Sequence, residues 1–116
     1  MNTNNVDAAT YLEQLSDGSL TLGKLIHSIR LCDEISQVAL ANKLGITRQH
    51  LCDIEHDRKI LSPKLAAQYA TALGYSVPQF IRLSLQAILD RDNLDVAVDI
   101  RFRHSSQQSN NGLAMI

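Results

Sequence analysis

Apolar residues in this chain fall on a helical period from Thr21 onward. Leu22, Leu25, Ile26 and Ile29 stand at i, i+3, i+4 and i+7, which lays one stripe along a first helix ending near Cys32 to Glu34. Ser36 is placed to cap a second helix, with Ile35 before the cap and Leu40 four residues after it set to clasp each other as a hydrophobic staple. Leu40, Ala41 and Leu44 then face inward. Gly45 stops this helix, about Gln37 to Leu44, because glycine enters the left-handed region at little cost. After Ile46, Thr47 caps a third helix whose inner face is Leu51 and Ile54.

Ser62 followed by Pro63 reads as a cap and a first helical position, where a missing N–H costs nothing. Leu65, Ala66, Tyr69, Ala70 and Leu73 form the buried stripe of this fourth helix, and Gly74 ends it. A fifth helix begins at the cap Ser76, with Gln79 closing a capping box and Tyr75 and Phe80 as its staple, and runs to Asp90 or Arg91. The period then changes to two. Leu94, Val96, Val98, Ile100 and Phe102 alternate with Asp95, Ala97, Asp99 and Arg101, the signature of a strand with one buried face. A lone strand has no partner in a helical domain, so it pairs with a second copy of itself, adds to a partner's sheet, or remains an extended tail.

The resulting plan is an N-terminal extension over 1–19, a five-helix all-α domain over 20–91, a C-terminal strand over 92–103 and a disordered tail over 104–116. Within the extension, "YLEQL" suffices for one or two helical turns. A length of 116 residues suits one domain and not two, and the absence of Trp requires an aliphatic core.

Net charge is −1, yet its distribution is uneven. Residues 20–91 hold nine bases against six acids, a surplus of three, whereas residues 1–19 carry −3 and residues 92–116 carry −1. A weakly basic centre is compatible with polyanion binding. No run approaches the ~18 apolar residues of a membrane span, and "MNTNNVDAAT" is no signal peptide, so a cytoplasmic protein is expected. In that reducing compartment Cys32 and Cys52 are expected to be free thiols.

Two short helices joined by Gly45, Ile46 and Thr47 form a helix-turn-helix, whose second helix presents its outer face to the major groove of DNA. Spacing of three and four turns Arg48, Gln49, Cys52, Asp53 and His56 outward on that helix. Arg forks onto two guanine acceptors and Gln both accepts from and donates to adenine, each worth roughly 1–3 kcal/mol of discrimination. Gln37, at the start of helix two, can meet a phosphate oxygen, as can His56, Arg58, Lys59 and Lys64 around the following loop.

The run "SQVALANKLGITRQHLCDIEHDRKILSPKLAAQYATALGYSVPQF" resembles the Xre family of phage repressor and Cro-like domains. The likeness rests on Ser-Gln, Leu-Gly-Ile-Thr, Ile-Glu after the reader helix and Leu-Gly-Tyr-Ser between helices four and five, over about 60 residues from Leu22 to Leu85. It implies a five-helix domain that acts as a homodimer on palindromic double-stranded DNA. It carries base contacts onto Arg48, Gln49 and Asp53, with Cys52 at the edge of that face, and phosphate contacts onto Gln37, Thr47 and His56, with His50 beside them. In place of the family's Asn-Gly this chain has His56-Asp57; Asp tolerates the left-handed conformation less well than Gly, so that turn is expected to differ. Asp53 sets an acid towards DNA, either to accept from a cytosine amino group or to repel phosphate. Some family members are antitoxins that repress their own operon and bind a small toxin through segments outside the helix-turn-helix. The two extensions here are similar to such additions, so the resemblance implies an autoregulating antitoxin, with a phage- or host-type regulator without a toxin partner, or a chain that mainly neutralises a toxin, as the alternatives.

No other chemistry competes well. Cys52 and His56 share a helix face with His50 nearby, but the set lacks a paired-Cys spacing and Cys32 belongs to another helix, so no metal is expected. There is no glycine-rich phosphate loop and no nucleophile elbow, so neither a cofactor nor an enzymatic activity is expected. The plain reading of Arg48, Gln49 and His50 is a solvated helix face, and that of His27 is a surface or core histidine.

Overall fold

Five hydroxyl side chains start five helices. Thr21, Ser36, Thr47, Ser62 and Ser76 each accept a hydrogen bond from the backbone N–H three residues on, satisfying one of the donors that a helix start leaves orphaned. The helices of this computed structural model, which describes residues 20–101 and 103, are α1 (Leu22–Cys32), α2 (Gln37–Leu44), α3 (Arg48–Glu55), α4 (Pro63–Leu73) and α5 (Val77–Arg91). The expected elements at 1–19 and 104–116 lie outside the described residues.

All five helices also end alike. The last turn closes through a residue in the left-handed region whose successor donates back five residues: Ile35 to Arg30, Ile46 to Ala41, Arg58 to Asp53, Tyr75 to Ala70 and Leu94 to Leu89. Glycine fills the left-handed position twice, at Gly45 (φ 74°) and Gly74 (φ 69°). The other three are Glu34 (φ 55°), Asp57 (φ 60°) and Asn93 (φ 60°). Asp57 therefore makes the turn that a glycine would make. The expected departure at His56-Asp57 does not occur; part of the reason is that Thr21 Oγ1 donates to Asp57 Oδ2 at 2.9 Å and holds the residue in place.

The core is aliphatic, as the composition requires. Leu25, Ile26, Leu40, Leu51, Ile54 and Phe80 are essentially inaccessible, each contributing roughly 1.5–3 kcal/mol of burial. Helices α4 and α5 pair most extensively, α3 lies against both α1 and α2, and α1 also meets α5. Tyr75 and Phe80 form the expected staple, their ring centroids 5.9 Å apart. Leu65 departs from expectation: it is 38% exposed, and the inner face of α4 is Ala66, Tyr69 and Ala70. None of the helices among the described residues is long and apolar enough to cross a membrane.

Residues 94–100 form no strand ladder among the described residues. The strand expected there is not realised among the described residues, whose regular elements are all helices. The segment instead lies along α5, where the Gln86 amide donates to the Val96 carbonyl at 2.8 Å and accepts from the Val98 N–H at 2.9 Å.

One glycine is fixed by close approach. A Cβ on Gly23 would collide with the Ile54 carbonyl and with the Asp57 carboxylate, so α1 can cross the end of α3 only where a side chain is missing. Gly23→Ala should therefore destabilise the domain by about 2 kcal/mol or more in chemical denaturation, although alanine favours a helix over glycine by ~1 kcal/mol. Glu34→Gly should act oppositely. A left-handed non-glycine residue costs about 1–2 kcal/mol, part of which glycine returns through its more flexible unfolded state, so a net gain of ~0.5–1 kcal/mol is expected as a higher melting temperature.

Candidate nucleic-acid interface

Helix α3 is short, and three neighbours hold it in place. Thr47 caps it through the His50 N–H, and Leu51 and Ile54 bury its inner side. Glu55, four residues after Leu51, falls on that same inner side, and its side chain is fully buried. An unpaired carboxylate there would cost several kcal/mol. Arg30 meets it with a fork, Nε to Oε2 at 2.7 Å and Nη2 to Oε1 at 3.1 Å, and also donates Nη1 to the Ile35 carbonyl at 3.1 Å. His27 Nδ1 stands 3.0 Å from Oε1, and Gln37 Nε2 donates to the same oxygen at 3.0 Å.

Burial pushes the Glu55 carboxyl up, but the hydrogen bonds from Arg30, His27 and Gln37 outweigh it and hold the group below its usual range. Among the described residues no buried side-chain nitrogen or oxygen lacks a partner. Helices α1, α2 and α3 thus converge on one carboxylate.

The outer face of α3 is built on this anchor. Gln37, the first residue of α2, uses its amide nitrogen on Glu55 and its oxygen on Arg48, whose Nη1 lies 3.2 Å away. Arg48 and Gln49 are exposed side by side at the start of the helix. Gln49 Nε2 donates to Asp53 Oδ1 at 3.1 Å, and the same oxygen accepts from Arg58 Nε at 2.9 Å. The Arg58 hydrogen bond, outweighing some desolvation and helped by Gln49, lowers the Asp53 pKa. Asp53 is therefore a brace between Gln49 and the following loop, with its charge matched by Arg58.

Cys52 is half-buried beside that brace, its Sγ 3.5 Å from Arg58 Nη2 and 3.6 Å from His56 Nδ1. His56 turns its Nδ1 back to the Cys52 carbonyl at 2.9 Å. His50 is half-exposed on the flank of α3, whereas Lys59 and Lys64 are exposed around the loop from His56 to Ser62. Ser84 fixes the far side of that loop, because its buried hydroxyl donates to the Leu61 carbonyl at 2.7 Å. The structure thus gathers Gln37, Thr47, Arg48, Gln49, Cys52, Asp53, His56 and Arg58 around α3 and its ends.

Glu55, Arg30, His27, Gly23 and Ser84 escaped the reading of the sequence as site residues. A signal existed for two of them. Arg30 stands four residues after Ile26 and Glu55 four after Leu51, so each continues an apolar stripe with a charge, and two opposite charges on facing stripes require each other.

Residues 29–80 match a family model described as Helix-turn-helix. The chain is also similar to the immunity repressor protein of Bacillus phage phi105, at 37% identity over 62 residues, or 53% of this chain and 43% of that relative. It thus spans less than half the length of the relative that it matches. No solved structure matched.

Removing the Glu55 carboxylate should cost about 3–5 kcal/mol, since it strands a buried guanidinium. Its depressed pKa sets the sign with pH: the contribution is complete above the ordinary glutamate value of about 4.3 and is lost as the pH falls through the lower native value. Urea titrations over that acid range should show a steep loss of stability in the parent and a much flatter one in Glu55→Gln; equal slopes would remove Glu55 from this role.

Proposed function

We propose, from the Xre-family helix-turn-helix domain that the chain carries over residues 29–80, that the protein is a sequence-specific transcriptional repressor acting as a homodimer on a palindromic operator. The observation that carries this reading is the pair Arg48 and Gln49, exposed at the start of a capped helix whose other side is locked by Glu55 and Gln37. The major groove is about 12 Å wide and admits such a helix. Bound there, Arg48 reads guanine and Gln49 reads adenine, while Asp53 holds Gln49 in register or accepts a hydrogen bond from a cytosine amino group. Cys52 lies at the edge of the same face.

Gln37, Thr47, His50 and His56 flank the groove with hydrogen-bond donors, and Arg58, Lys59 and Lys64 add charge along the neighbouring strand of phosphates. The immunity repressor named above supports repression as the biological outcome. Nothing in this reading needs a cofactor or a reaction step, and it places the protein in the cytoplasm with its DNA.

A second reading draws on the charge asymmetry. Residues 1–19 carry −3 outside a basic domain, which suits an acidic segment that holds a small basic toxin, so that the chain would be the autoregulating antitoxin of its operon. Co-expression with the product of the neighbouring gene, followed by co-purification, tests it. A chain that elutes alone removes the antitoxin role and leaves a plain regulator.

Gel shifts on the chain's own promoter test the main proposal. Arg48→Ala and Gln49→Ala should each lose about 1–3 kcal/mol of discrimination, roughly 5- to 150-fold, with weak binding to unrelated DNA retained. Lys59→Ala and Lys64→Ala should instead weaken binding to every sequence alike and lower the salt slope by about one each. Reader variants as selective as the parent would refute the assignment of α3.

A further inference from the structure

Residues 94–100 carry a polar edge that no described residue satisfies. The Val96 carbonyl and the Val98 N–H both reach the Gln86 amide, at 2.8 and 2.9 Å. The Val96 N–H turns back to the Leu94 carbonyl at 2.9 Å. From Val96 on, Gln86 meets the carbonyl of one residue and the N–H two residues later, as a residue of a parallel neighbouring strand would, and in a strand the groups of alternate residues point to the same side. The backbone groups of Ala97 and Asp99 then point to the other edge, where they meet no hydrogen-bond partner among the described residues. Leu94 and Val96 are about half exposed, at 49% and 54%, although both are large and apolar.

We propose that this free edge is a homodimer interface, in which residues 95–101 of two copies pair antiparallel about Val98. Charge selects that register. Centred on Val98, it sets Asp95 of each copy opposite Arg101 of the other and Val96 opposite Ile100, with Val98 facing itself across the axis. Centred on Ala97, the same segments would set Asp95 opposite Asp99 twice, and like charges in direct opposition destabilise a pair of strands. The chosen register also puts all the apolar side chains on one face, at non-hydrogen-bonded positions where cross-strand side chains approach most closely.

Gln86 has a further consequence for assembly. With the inner edge filled by a side chain, only the outer edge accepts a strand, so the contact closes on itself as a two-fold and does not propagate into a fibre. The inference rests on the dimeric repressor reading only for its biological use, since the interface forms without DNA.

The test is the mass of the full chain in solution, by sedimentation over a range of concentrations. The parent should be a dimer. Ala97→Pro removes an N–H from the free edge while leaving the Gln86 contacts intact, and should give a monomer with unchanged helical circular dichroism. Asp95→Arg should weaken the dimer roughly tenfold, and Asp95→Arg combined with Arg101→Asp should restore it, which a general loss of folding cannot do. A monomeric parent, a dimer unaffected by Ala97→Pro, or a charge swap without rescue would each overturn the proposal; the first covers a segment that serves another protein. Because mass is read without DNA, failure to bind an operator would count against the repressor reading alone, and Ala97→Pro should still bind a single half-site as the parent does.

Discussion

The structure turns on one buried carboxylate. Glu55 ends the reader helix, and its two oxygens bring Arg30 and His27 from the first helix together with Gln37 from the second. A hydrophobic contact would hold three helices together equally well, but it would not specify their rotation. A carboxylate with a forked guanidinium on one side and an amide on the other does, because each donor must arrive along a defined direction. Gln37 then passes that geometry outward, one end of its amide on Glu55 and the other on Arg48. An acid in the core thus determines where Arg48 stands on the surface.

Around this anchor the chain is held by short-range devices that recur at every helix. Five hydroxyl caps start the helices, and five left-handed closures end them. Such closures redirect the chain within two residues, which lets helices of eight residues follow one another without long loops. Non-glycine residues carry three of these closures at some cost in backbone strain. At Asp57 the carboxylate is also used, since it ties the loop after α3 to Thr21 at the cap of α1. The gap left by Gly23 admits that loop, so a single crossing positions both the end of the reader helix and the bases Arg58 and Lys59 that follow it.

Much of this was legible in the amino-acid order, and the division follows the range of the interaction. Caps, staples and stop glycines act over three to five residues, and they locate four of the five helices, with α2 ending at Gly45 and α3 starting after Thr47 as their signals require, while α1 is located by its apolar stripe. The outward set of α3 was legible for the same reason, because it is the complement of Leu51 and Ile54. Contacts between distant residues were not. Leu65 continues an apolar stripe and yet is exposed, since the width of a buried face depends on what lies opposite. Asp53 read as an acid facing DNA, but its partners Gln49 and Arg58 give it a different local role. Residues 94–100 show a strand's alternation, and the single chain supplies only a glutamine side chain to meet it.

Electrostatics bear on why the end of the chain matters to its middle. Residues 20–91 hold a surplus of only three positive charges, so one domain releases few counterions when it meets DNA. On the repressor reading proposed above, a handful of phosphate contacts and two base-reading side chains would bind weakly and with little residence time. Joining two such domains makes the second half-site encounter intramolecular, at an effective concentration of order millimolar, and raises overall affinity by roughly 10²–10⁴ without a new contact to DNA. A weakly charged domain therefore gains most from self-association, and it gains specificity as well, because only a correctly spaced pair of half-sites engages both readers. An edge that pairs with its own copy, as proposed for residues 95–101, would meet that need while leaving Arg48 and Gln49 free for the bases.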